Sequence, residues 1–133
     1  MTAAGGGGDA TRRVEQRVKP WVVFPGGTKF GAGRAELLRL IDSEGSLNRA
    51  VHEMGMSYRA AWGYLRELEA AAGFALVARD GSGARLTDAG RAFLRAYEAY
   101  AAEVDAAAES AFRGAFAAWC GDGSGAARAQ DAQ

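Results

Sequence analysis

The stretch that most constrains this chain runs from Leu47 to Arg59 and reads LNRAVHEMGMSYR. Leu47, Ala50, Val51 and Met54 recur at i, i+3, i+4 and i+7, which places four apolar side chains on one face of a short helix. Gly55 can adopt the left-handed backbone that stops a helix, and Ser57 supplies the hydroxyl that caps the next one. That second helix is predicted to run to about Ala72, with Ala61, Leu65 and Leu68 facing inward and Gly73 as its stop. Two helices joined by so short a glycine turn form the helix-turn-helix pattern.

The flanks extend the pattern. Upstream, Trp21-Val22-Val23-Phe24 and Lys29-Phe30 are strand formers around the turn Pro25-Gly26-Gly27-Thr28, which predicts a small hairpin. From Gly33 the period becomes helical, with Leu37, Leu38 and Ile41 on one side and Arg34, Arg39 and Asp42 on the other. Glu44-Gly45 ends that helix, and Ser46 caps the next, with Arg49 where a complete capping box would carry an acid. Downstream, Ala75–Arg79 and Ala84–Thr87 are strand candidates joined by Asp80-Gly81-Ser82-Gly83, a hairpin of the kind called a wing. Thr87 or Asp88 then caps the longest helix of the chain, along which Phe93, Leu94, Tyr97, Ala101, Val104, Ala108, Phe112 and Phe116 keep a spacing of three and four. This stripe outlasts one small core, so it is read as the seam of a homodimer.

The expected fold is therefore mainly α with small β-hairpins: a winged helix-turn-helix with an N-terminal β-hairpin and a long C-terminal dimerisation helix. Residues 1–11 are expected to be a disordered leader, 12–87 the winged domain, 88–119 the dimerisation helix and 120–133 a disordered tail. A chain of 133 residues, 49% hydrophobic, has enough material for one compact domain. Its apolar runs fall short of the roughly 20 residues that cross a bilayer, and no secretory leader is read at its start. The lone Cys120 has no internal partner, which suits a reducing cytoplasm.

The formal net charge of zero hides a segregation. Residues 12–95 carry 14 Lys and Arg against 9 Asp and Glu, whereas residues 96–133 carry 2 against 6. A basic body with an acidic extension fits a polyanion partner. A helix about 10 to 12 Å across fits the major groove of a duplex, and its N-terminal amides favour phosphate. The candidate DNA-binding residues are Ser46, Ser57, Tyr58, Arg59, Ala60, Gly63 and Tyr64, with Arg79 and Arg85 flanking the wing. Arg59 is the expected base reader, because arginine can donate two hydrogen bonds to guanine, and Tyr58 is expected to meet a phosphate or a thymine methyl. Trp62 is read as a packing residue between helices. His52 lies opposite the apolar stripe, without the Cys or carboxylate cluster of a metal site. No nucleophile stands beside a base and no phosphate loop follows a strand, so neither catalysis nor a cofactor is expected.

Three stretches, Phe30-Gly31-Ala32-Gly33-Arg34-Ala35-Glu36-Leu37-Leu38, Ile41-Asp42-Ser43-Glu44-Gly45-Ser46-Leu47 and Gly55-Met56-Ser57-Tyr58-Arg59-Ala60-Ala61-Trp62, resemble the N-terminal DNA-binding domain of ModE-type molybdate-responsive regulators. Ala84-Arg85-Leu86-Thr87 followed by Ala89-Gly90 resembles the end of that domain's wing, and LysR-type regulators share the broader plan. The resemblance runs from about Trp21 to Val104 and implies a dimeric transcription factor. The chain is expected to be too short for the family's molybdate-binding domain, and its wing is short for the family. Two alternatives stay open: a protein-interaction module on a winged scaffold, and a regulator that responds to molybdate or tungstate.

Overall fold

The computed structural model describes residues 14–120. They form two compact units, one spanning Lys19–Ala102 and the other pairing residues 14–18 with the chain from Glu103 onward. The expected leader at 1–11 and the tail beyond Cys120 lie outside the described residues.

The first unit opens with an antiparallel hairpin, β1 (Val22–Val23) against β2 (Lys29–Phe30), in which Val22 faces Phe30 and Val23 faces Lys29. Its turn closes where the Phe24 amide donates to the Thr28 carbonyl at 2.8 Å and the Gly27 amide to the Phe24 carbonyl at 2.9 Å. Three helices follow: α1 (Ala32–Glu44), α2 (Leu47–Met54) and α3 (Tyr58–Ala72). Their stops obey one rule. Gly45, Gly55 and Gly73 cap them at φ of 70°, 67° and 85°, a backbone that costs glycine no side-chain clash. Ser46 and Ser57 cap α2 and α3 as expected, accepting from the amides of Arg49 at 3.1 Å and Ala60 at 3.0 Å.

The wing is β3 (Val77–Asp80) against β4 (Gly83–Leu86), antiparallel, with Asp80 opposite Gly83. It differs from the expected Ala75–Arg79 and Ala84–Thr87 in having a turn of two residues, Gly81-Ser82. The reason is local: Asp80 Oδ1 accepts from the Ser82 amide at 2.8 Å and the Ser82 hydroxyl at 2.6 Å, closing the hairpin early. At the other end, Glu69 Oε2 on α3 accepts from the Leu76 and Val77 amides at 2.7 and 3.1 Å, so Leu76 is anchored to a helix before the ladder begins. Next to its turn, the wing also meets the first interhelical turn, where the Ala84 amide donates to the Gly45 carbonyl at 3.0 Å.

Thr87 is the cap of the long helix α4 (Asp88–Ala115), its Oγ1 accepting from the Gly90 amide at 2.8 Å. Up to Ala102 the helix belongs to the first unit. There Leu94 and Tyr97 join Phe30, Leu37, Leu38, Ile41, Leu65, Leu68, Leu76 and Leu86 in one core. Phe93 and Ala101 pack against its rim. Phe30 meets Phe93 and Tyr97 edge-on at 4.8 and 5.0 Å, so the hairpin is held by aromatic contacts, each worth about 0.5–1.5 kcal/mol beyond area burial. Tyr97 Oη also donates to the Pro20 carbonyl at 3.0 Å.

In the second unit α4 ends at Ala115, short of the expected 119, and a 3-10 turn follows over Ala117–Trp119. Phe112 stacks on Phe116 at 5.1 Å, and Phe116 meets Trp119 at 5.9 Å. The Val14 amide donates to the Trp119 carbonyl, and Gln16 Nε2 to Glu109 Oε1 at 3.2 Å, so the segment before Lys19 meets both α4 and the 3-10 turn.

Candidate nucleic-acid interface

The amphipathic pattern of α3 decides what it can offer. Ala61, Leu65 and Leu68 bury one side, which turns Arg59, Ala60, Gly63 and Glu67 outward, all of them exposed. At the N-terminal turn the cap leaves amides aimed along the axis, the positive end of the helix dipole. Ser57 lies exposed and Ser46 half-buried, and both hydroxyl oxygens serve as caps. Arg59 extends into solvent, as a base-reading side chain requires.

Tyr58 is placed differently from a free phosphate ligand. It is half-buried against the core rim, and its hydroxyl accepts a hydrogen bond from Arg79 Nη2 at 2.9 Å. The same guanidinium lies over Trp62, 4.4 Å from the ring centroid. Trp62 thus packs against the core on one face, as expected, and carries the Arg79 cation on another. Tyr64 is 36% exposed, and the guanidinium of Arg34 from α1 stacks on its ring at 3.5 Å. Arg34 also donates to the Lys29 carbonyl.

The two wing arginines part company. Arg79 pairs across the ladder with Ala84 and Arg85 with Ala78, adjacent rungs whose side chains point to opposite faces. Arg79 turns to α3. The charge of Arg85 acts instead near two carboxylates, Asp80 and Asp42. Hydrogen bonds from Ser82, with Arg85 adding, hold the Asp80 carboxyl below its ordinary range. Burial pushes the Asp42 carboxyl up, but bonds from Arg91 and the Leu86 amide, with the charges of Arg91 and Arg85, outweigh it and hold it low.

That Asp42 brace was not apparent in the sequence, where Asp42 read as a solvent-facing residue of α1. Its oxygens accept from the Leu86 amide and from Arg91 Nη2 and Nε, all at 3.1 Å, tying α1, the wing and α4 together. Arg34, which also read as solvent-facing, has the Tyr64 stack. No spacing rule signals either contact, because both join elements far apart in the chain.

Of the stripe expected at a dimer seam, Leu94 and Tyr97 are 7% and 5% exposed in the core of their own domain, with Phe93 and Ala101 beside them. Leu94 and Tyr97 are thus taken up within one copy, while Phe93 and Ala101 are only partly covered by it. Val104, Ala108 and Phe112 are half-buried, and Phe116 is 45% exposed.

Residues 34–91 match the bacterial regulatory helix-turn-helix proteins of the LysR family. The chain also shares 37% identity over 86 residues with the molybdenum transport protein ModE of Azotobacter vinelandii, covering 61% of this chain and 32% of that protein. Identity to the molybdenum-pterin-binding protein MopB of Rhodobacter capsulatus is 36% over 83 residues, 59% of this chain and 31% of that one. The chain thus spans about a third of the length of these curated relatives. Among solved structures it is similar to the CbnR DNA-binding domain in its complex with DNA, at 26% identity and a TM-score of 0.51, covering 65% of this chain and 95% of that one. The structure of CbnR, a LysR family transcriptional regulator, shows the same fold at 21% identity and a TM-score of 0.52, over 61% of this chain and 28% of that one. Both resemblances read from the sequence, to ModE-type regulators and to the LysR plan, are found. Among the described residues no helix is long and apolar enough to cross a membrane.

Proposed function

We propose that this chain is a transcriptional regulator that binds double-stranded DNA as a homodimer, with α3 in the major groove. The observation that carries the reading is the N-terminal turn of α3, capped by Ser57 and presenting an exposed Arg59 beside Tyr58, in a LysR-type domain. The CbnR DNA-binding domain in complex with DNA supports it, because the similarity spans 95% of that domain. The seam of the homodimer falls to Val104, Ala108, Phe112 and Phe116, the part of the stripe not consumed by the core. Paired α3 helices then read half-sites about 34 Å apart on a two-fold symmetric site. The regulator works by binding alone, in the cytoplasm, where DNA is found.

The test is a selection of duplexes from a random pool, followed by anisotropy titrations of the winning and scrambled sequences. Arg59→Ala is expected to relax preference at one base position by roughly 1–3 kcal/mol while leaving binding to scrambled DNA nearly intact. A parent protein whose affinity for duplexes ignores salt would place it instead among protein-interaction modules. Sedimentation of the same samples reads the dimer, and adding molybdate or tungstate to the titration reads any response to an oxyanion.

A further inference from the structure

Two arginines outside α3 each place the guanidinium over an aromatic ring that α3 supplies. Arg79 of the wing covers Trp62 at 4.4 Å with a hydrogen bond to Tyr58, and Arg34 of α1 covers Tyr64 at 3.5 Å with a hydrogen bond to the Lys29 carbonyl. At 3.6 residues per turn, Trp62 and Tyr64 stand about 200° apart around the helix. The strip containing Arg59 and Gly63 runs between them, so the two cations flank the outward face of α3 on opposite sides.

We propose that Arg34 and Arg79 are a pair of preset phosphate clamps, one for each backbone bordering the groove that α3 fills. The inference rests on the DNA-binding reading. A helix about 10–12 Å across occupies a groove about 12 Å wide, so groups carried on its two flanks are delivered to the two groove edges, where the phosphates stand. A guanidinium has five N–H donors in a fixed fork, and the contacts above engage one of each. The rings hold both forks in one orientation before DNA arrives, which removes an ordering cost from binding. Glu67 limits the clamp to the N-terminal half of α3, since its carboxylate, which accepts from Thr28 Oγ1, lies one turn beyond Tyr64. Arg85 is not part of the pair, because it leaves the opposite face of the wing.

Phosphate contacts position a protein without reading sequence, and this separates the clamps from Arg59. The full chain, titrated on the selected duplex and on a scrambled one over a salt series, gives the readout. Arg34→Ala and Arg79→Ala are each expected to weaken binding about tenfold on both duplexes and to lower the slope of log K against log salt by about 1, with sequence preference unchanged. Arg34→Lys keeps the charge and is expected to keep the slope while losing part of the affinity. Tyr64→Leu leaves both cations in place and is expected to cost about threefold on both duplexes through lost orientation. Thermal melts confirm that each variant folds. A parent that binds with a steep salt slope, beside alanine variants that match it, would overturn the clamps and leave the DNA-binding reading standing. Loss at only one arginine would overturn the pairing, and loss of sequence preference in either variant would make that residue a base reader. A parent with no salt-dependent affinity sinks both proposals.

Discussion

The two halves of α4 share one period and one kind of stripe, yet they meet opposite fates. From Asp88 to Ala102 the apolar face is consumed by the winged domain, with Leu94 and Tyr97 in the core and Gly90 against the backbone of Leu76, just before the wing. From Glu103 onward the same spacing leaves Val104, Ala108 and Phe112 only half-buried, and just past the end of the helix Phe116 and Trp119 are 45% and 57% exposed. The contrast teaches that periodicity announces a face to be covered without saying what covers it. Each half carries its own glycine, aromatic or aliphatic anchor and ion pair, so the comparison can be probed position by position.

The largest effect is expected at Gly90. A Cβ there would stand 2.2 Å from the Leu76 carbonyl oxygen, and backbone cannot swing aside as a side chain can. Gly90→Ala is expected to cost at least about 3 kcal/mol by forcing the helix off the backbone of Leu76. Calorimetry should show the transition of the winged domain lowered by many degrees or lost. Unchanged melting would mean that this half of α4 is not packed as described.

Leu94→Ala against Phe116→Ala sets buried stripe against open stripe. The first removes a side chain that is 7% exposed and is expected to cost about 2–5 kcal/mol. The second is expected to change the stability of one copy by about 0.5 kcal/mol and to act instead on the monomer–dimer equilibrium. Sedimentation at several concentrations, run beside thermal melts, separates the two. Equal destabilisation by both would erase the distinction between the halves.

The fold was legible wherever a contact is local. The glycine stops at 45, 55 and 73, the serine caps at 46 and 57, and the inward faces of α2 and α3 follow from spacing and residue type alone. What escaped were contacts that close over long stretches of chain. Asp42 reaches Arg91 across 49 residues, and Arg34 lies over Tyr64 from a different helix. The stripe of α4 was visible, but its division at Ala102 depends on how far the hairpin and α1 extend in three dimensions. At the candidate interface the exposed Arg59 could be expected from the period of α3. The turning of Arg79 onto Trp62 could not, because strand register decides which face of the wing it leaves.

The ion pairs sharpen the contrast at smaller scale. Arg91 joins Asp42 across the fold, with the Leu86 amide on the same carboxylate, whereas Arg113 joins Glu109 one turn away on an exposed surface. Because Asp42 is partly open to solvent, Asp42→Asn is expected to cost only about 1 kcal/mol, and Glu109→Gln less than about 0.5. The pH dependence follows in sign. The folded carboxyl of Asp42 is held below its ordinary value, so its contribution is complete above the unfolded value of about 4 and fades as pH falls through the lower, folded one. The stability gap between parent and Asp42→Asn should therefore be constant near neutrality and close in acid. A gap that widened below pH 4 would contradict the brace.

The smallest effect carries the opposite sign and completes the comparison within one helix. Gly114 has no atom within 4 Å of where its Cβ would lie, and its φ is not in the left-handed region that alanine avoids. Alanine there loses less backbone freedom on forming helix than glycine, by up to about 1 kcal/mol in a helix interior. Gly114 is the last residue but one of α4, where fraying already weakens the helix, so about 0.5 kcal/mol is expected. Hydrogen exchange reads so small a change better than melting, since amides of the last turns open locally. Gly114→Ala is expected to slow exchange there about twofold, while the winged domain exchanges as before. A slower rate throughout would tie this end of α4 to the core, and a faster one would show Gly114 serving a close approach, as Gly90 does.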